Sequence, residues 1–183
     1  MAMHIKTKWH KSENKTVKDL ASVLSLNMWK IAVHAVDHIG DENFQFKTMQ
    51  DRFTVLAEIL IFLVQLVDRW SHNRMEDVER KDLVTAIVFS LAATLEENQN
   101  EWLGPGIYGP QFFAHFNERA QEYANFSFSA EEPGYQFRRY LGERVLMIMG
   151  ENHNNRWVID QIMDIEIPDA LKTLRRAFQG LID

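Results

Sequence analysis

His34 and His38 lie four residues apart, one helical turn, a spacing that can place two imidazoles on one metal ion. Asp37 falls between them, and Glu58 is a carboxylate that a neighbouring helix could bring to the pair. The surroundings argue the other way. His34 shares its face with Asn27, Lys30 and Asp37, a setting in which histidines are ordinarily solvated, and His38 stands nearer the apolar boundary. A di-iron carboxylate bundle would require Glu-x-x-His on two helices, and no glutamate here has a histidine three positions later. His-Glu-x-x-His is absent as well, and the single pair His115 and Glu118 is half a site. A metal-dependent enzyme using His and carboxylate ligands is therefore the weakest of three functional readings, and no metal or cofactor is expected.

Other chemistry has less support. The chain has no cysteine, which removes thiol nucleophiles, disulfides and thiolate zinc sites. No Gly-x-Ser-x-Gly elbow is present. Glycines 104, 106 and 109 resemble a phosphate-binding loop only loosely, because no Lys-Ser/Thr pair follows and Pro105 lacks a backbone donor. No catalytic residue is assigned.

A more informative polar group sits inside the most apolar stretch. In residues 55–67 eleven of thirteen positions are apolar, and the exceptions are Glu58 and Gln65. Seven residues is almost two helical turns, so both project from one face, which Arg69 and His72 extend. Glu58, Gln65, Arg69 and His72 are the candidate ligand-contacting residues. If another helix covers that line, its groups must pair, and burial would push the Glu58 carboxyl upward. If nothing covers it, the line is a solvated edge.

The elements that position these groups all read as helices. Thr16 and Asp19 open a first helix that runs to about Ile39 and stops at Gly40. A second spans about 45–73 and, being apolar nearly all round, belongs at the centre of a bundle. A third runs from about Asp77 to Asn98, with Leu83, Ile87, Leu91 and Leu95 on its core face. Three glycines and two prolines within 102–110 end it, and Pro110 fits the first turn of a fourth helix. Ser129-Ala-Glu-Glu132 reads as a capping box for a fifth helix across Tyr135–Met149. A sixth is expected over about Arg156–Asp164, and Pro168 begins a seventh. No β alternation stands out. The reading is all-α: a single-domain bundle of six or seven helices around a long central helix at about 45–73, with a possible seam at 103–110 and a basic arm at 1–15.

The formal net charge is −6 for 183 residues, with +3 in residues 1–15 and −9 in the remainder. Such an acidic body lacks the basic face that nucleic acid demands. The apolar run is too short for a membrane span, and no signal-like apolar stretch follows Met1, so a cytoplasmic protein is expected. Large apolar residues in connecting segments, Phe126 and Phe128 with Trp102 and Tyr108 upstream, suggest a subunit interface. The leading expectation is a non-enzymatic helical module acting by association, most simply a homodimer, with another protein as the other possible partner. The alternative is a small-molecule binding or sensor domain whose apolar inter-helix pocket is keyed by Glu58, Gln65 and Arg69.

Overall fold

The structure is a computed structural model and describes residues 16–182, so the basic arm expected at 1–15 lies outside the described residues. Six long helices build the molecule: α1 (Val17–Asp41), α2 (Met49–Ser71), α3 (Asp77–Leu103), α4 (Tyr108–Tyr123), α5 (Tyr135–Met149) and α7 (Ile167–Ile182). A one-turn helix α6 (Val158–Gln161) leads through a π-helical segment, Ile162–Glu166, directly into α7. The fold is an all-α bundle, and among the described residues no helix is long and apolar enough to cross a membrane.

α2 is the axis of the bundle. Every residue from Val55 to Val67 is buried, and α1, α3, α4, α5 and α7 all pack against this helix. At roughly 1.5–3 kcal/mol for each large apolar side chain taken fully out of water, no other element contributes as much to the core. Buried apolar residues from both sides of the 104–110 loop belong to one continuous cluster.

The ends of α2 differ from those read in the sequence. It ends at Ser71 and starts at Met49, where Thr48 and Asp51 form a reciprocal capping box: the Thr48 Oγ1 accepts from the Asp51 N–H at 3.0 Å, and the Asp51 carboxylate accepts from the Thr48 N–H at 3.0 Å. Thr16 and Asp19 open α1 in the same way.

The proposed capping box at Ser129–Glu132 is not one. Those residues form a minimal β-hairpin, with β1 (Phe128–Ser129) antiparallel to β2 (Glu132–Pro133), and α5 is capped instead by Gly134. Ala130 and Glu131 make the turn with φ of 50° and 63°, the left-handed pair that a two-residue hairpin needs and that non-glycine residues resist. Tertiary contacts hold the turn in place. The Glu131 carbonyl accepts from Trp70 Nε1 and from Arg175 Nη2, each at 2.9 Å, and its carboxylate pairs with Arg74 at 2.6 Å.

The expected sixth helix survives as four residues. Pro168 has no N–H to bond Asp164 four residues earlier, and upstream of it the ladder widens, so that the Ile167 N–H reaches the Ile162 carbonyl five residues back. Asn155, fully buried, ties the loop before α6 to the loop before α2: its side chain accepts from the Gln45 N–H at 2.8 Å and donates to the carbonyls of Gln45 and Gly150.

Candidate functional site

Glu58 sits midway along α2 with its carboxylate in the interior, and three basic side chains converge on one of its oxygens. His115 Nε2 lies 2.9 Å from Oε1, Arg119 Nε donates to Oε1 at 3.0 Å and Oε2 at 3.2 Å, and Arg144 Nε approaches Oε1 at 3.4 Å. His115 and Arg119 stand one turn apart on α4, and Arg144 comes from α5, so a single carboxylate joins three helices. Arg119 continues the network outward, donating through Nη1 to Glu122 at 2.9 Å, and the Tyr140 hydroxyl donates to the same Glu122 oxygen.

Burial alone would raise the Glu58 carboxyl, as the sequence suggested. The bonds and charges of His115 and Arg119 outweigh it, and the carboxyl is held below its ordinary range. Burial works against the Arg119 charge too, yet Glu58 more than compensates and its pKa is raised. Glu122 is lowered against its own partial burial by the bonds from Tyr140 and Arg119. The Tyr140 phenol moves up, through burial first and then its bond to Glu122. The cluster is an internal ion-pair network with charges of both signs, suited to fixing helix register.

The remaining candidates scatter. Gln65 and Arg69 line an open groove of about 360 Å³ between α2, α3 and α4, whose walls include Val84, Phe116, Ala120 and Ala124. Arg69 also donates to the Tyr123 carbonyl at 3.1 Å, and the adjacent Asp68 pairs with Arg80 at 2.5 Å. His72 caps the end of α2 in solvent, away from Glu58. The four residues share one helical line, but the bundle covers only its first part.

Phe126 and Phe128 are half-buried and turn inward. Phe126 packs on Tyr123 and Tyr140, and Phe128 on Phe137. They cover the aromatic layer between α4 and α5. Trp102 is 41% exposed near the end of α3, and Tyr108, half-buried, bonds the Gly104 carbonyl through its hydroxyl.

His34 and His38 have rings 6.1 Å apart, edge to face. Both His38 nitrogens are engaged by carboxylates, Nδ1 with Glu166 at 2.8 Å and Nε2 with Glu42 at 3.4 Å. The bond to Glu166 raises its pKa above the ordinary histidine value. Among the described residues no three His, Asp or Glu side chains gather closely enough to hold a metal ion.

His115, Arg119, Glu122, Tyr140 and Arg144 were not assigned from sequence as one group. Their signal was present in the spacing: His115, Arg119 and Glu122 recur at four and three residues along α4, and Tyr140 and Arg144 at four along α5. Each set therefore lies on one face, but that both faces converge on Glu58 is a tertiary fact. Phe89 was also missed. It falls outside the core phase of α3 and is 60% exposed, tilted against Phe113 with ring centroids 4.7 Å apart.

Comparison with known protein families, curated proteins and solved structures finds no match to this chain.

Proposed function

We propose that this chain is a non-enzymatic association module that pairs with a second copy of itself through the outer face of α3 and α4. The observation that carries the reading is Phe89, an aromatic ring in the middle of α3 that the fold leaves 60% exposed. A single exposed apolar residue needs no explanation. Phe89, however, packs at a tilt against Phe113, and the same two helices form the groove walled by Val84, Phe116, Ala120 and Ala124.

We take the projecting aromatic ring and the groove that Ala120 and Ala124 help to wall as the two halves of one self-complementary face. A two-fold axis between them places the knob of each copy in the groove of the other, which is the isologous contact that closes a dimer. Buried aromatic anchors supply most of the binding energy at such interfaces. The cysteine-free composition is compatible with the cytoplasm, where we place the protein.

The same groove supports a second reading, a binding site for a small molecule, because Gln65, Asp68 and Arg69 bring polar groups to its apolar walls. One experiment separates the two. Light scattering after size exclusion should give a dimer for the native chain and a monomer for Phe89→Ser, whose exposed position leaves folding intact. A monomeric native protein, or a dimer indifferent to Phe89→Ser, overturns the association reading; retained small molecule in native mass spectra of a monomer would establish the other.

A further inference from the structure

α1 and α7 pack side by side, and the seam between them opens into a cleft of about 150 Å³ next to the π-helical segment. Its floor is apolar, made by Ile31, Ala35 and Ala170. Its α1 wall carries Lys30 and His34, and the opposite wall carries Glu166 at the end of the π-helical segment and Asp169 and Thr173 on α7. Cationic and ionisable groups therefore stand on one side and carboxylates on the other.

Two features distinguish this cleft from an ordinary helix–helix seam. Lys30 and Asp169 both line it, yet neither pairs with the other or with another described residue. Glu166, with its side chain only 9% exposed, receives both of its bonds on one oxygen: His38 Nδ1 at 2.8 Å and Gln161 Nε2 at 2.9 Å reach Oε1. The carboxylate is thus fixed in orientation while Oε2 remains for a further donor. Its position in the widened turn just before Pro168 is the local backbone feature that often accompanies binding sites.

We propose that this cleft binds a small zwitterion of α-amino-acid size, its ammonium end on Glu166 and Asp169 and its carboxylate end on Lys30 and His34. Charge balance selects that ligand class. Glu166 is already hydrogen-bonded by His38, and the facing Lys30 and Asp169 are of opposite sign, so a ligand with one charge leaves a wall unmatched. Size selects within the class, since a cavity of 150 Å³ holds benzene and accepts a molecule of about eight heavy atoms.

The test is a titration of the full chain with L-valine, followed by the methyl NMR signals of Ala35 and Ala170. Saturable shifts with a dissociation constant of about 1 mM are expected, the strength of a few charge-assisted bonds. Valine methyl ester, which lacks the carboxylate, and the corresponding 2-keto acid, which lacks the amine, should each bind at least about tenfold more weakly. Lys30→Met and Asp169→Asn, both at exposed positions, should each weaken valine binding by a similar factor with the fold intact. No saturable shift, equal binding of the ester or keto acid, or indifference to both substitutions would overturn the proposal.

Discussion

Arg119 meets Glu58 through its Nε, at 3.0 and 3.2 Å from the two carboxylate oxygens, and so keeps Nη1 for Glu122 at 2.9 Å. Both members of the pair are buried. Removing one partner leaves Arg119 with Glu122, or Glu58 with His115 and Arg144, so the cost lies toward the lower end of the range for a broken buried pair, about 3–5 kcal/mol. Glu58→Leu and Arg119→Met should each destabilise by that amount in urea unfolding. The double variant should cost clearly less than their sum, because it removes both charges together. Additive losses would show that the pair does not act as a unit.

The same carboxylate gives stability an acid limb. Glu58 and Glu122 both titrate below the ordinary value of 4.5 in the folded protein. Their contribution is therefore fully present above that value and is lost as pH falls through the lower folded pKa. Unfolding free energy measured between about pH 6 and pH 3 should decline steeply in the native protein. In Glu58→Gln the decline should be shallower, from a lower starting stability. An identical slope would remove Glu58 from the acid transition.

The sequence carried the architecture well because the architecture rests on local patterns. The apolar run at 55–67 required a covered helix, and the structure buries all thirteen of its residues. Gly104 ended α3, with φ of 92°, where the Gly/Pro loop was read. What failed was governed by distant contacts. Ser129–Glu132 has the letters of a capping box, but Trp70, Arg74 and Arg175 hold that segment as a turn. Glu58 was visible as a lone acid in an apolar helix, whereas His115, Arg119 and Arg144 reach it across sequence separations of 57, 61 and 86 residues. Periodicity says which face a residue occupies and is silent about which other face it will meet.

Ala130 holds φ of 50° at an exposed turn position, where its Cβ is disfavoured by about 1 kcal/mol or more relative to glycine. The groups that anchor the turn belong to Glu131. Ala130→Gly should accordingly raise unfolding free energy by about 0.5–1 kcal/mol, the relief of strain exceeding the entropy gained by the unfolded chain. A thermal melt reads this directly, and a lower midpoint would mean that the turn is not strained at that residue.

Phe126 and Phe128, expected from the sequence to line a subunit interface, also pack on the aromatic layer beneath them. Phe126 lies against Tyr123 and Tyr140 at 6.1 and 5.3 Å, and Phe128 against Phe137 at 5.7 Å. Truncating either ring opens the aromatic layer next to the Glu122–Tyr140 bond. Because both rings are only half-buried, Phe126→Ser and Phe128→Ser should cost about 2 kcal/mol each, below the 3–5 kcal/mol of a fully buried phenylalanine. Subunit mass in light scattering should stay unchanged where the fold persists, whereas Phe89→Ser should leave stability nearly untouched and change the mass. The two positions are thereby opposed: one set moves the unfolding curve, the other the oligomer. If Phe126→Ser instead yields a stable monomer from a dimeric native chain, the interface lies at the α4–α5 connection, and the α3–α4 face is ordinary surface.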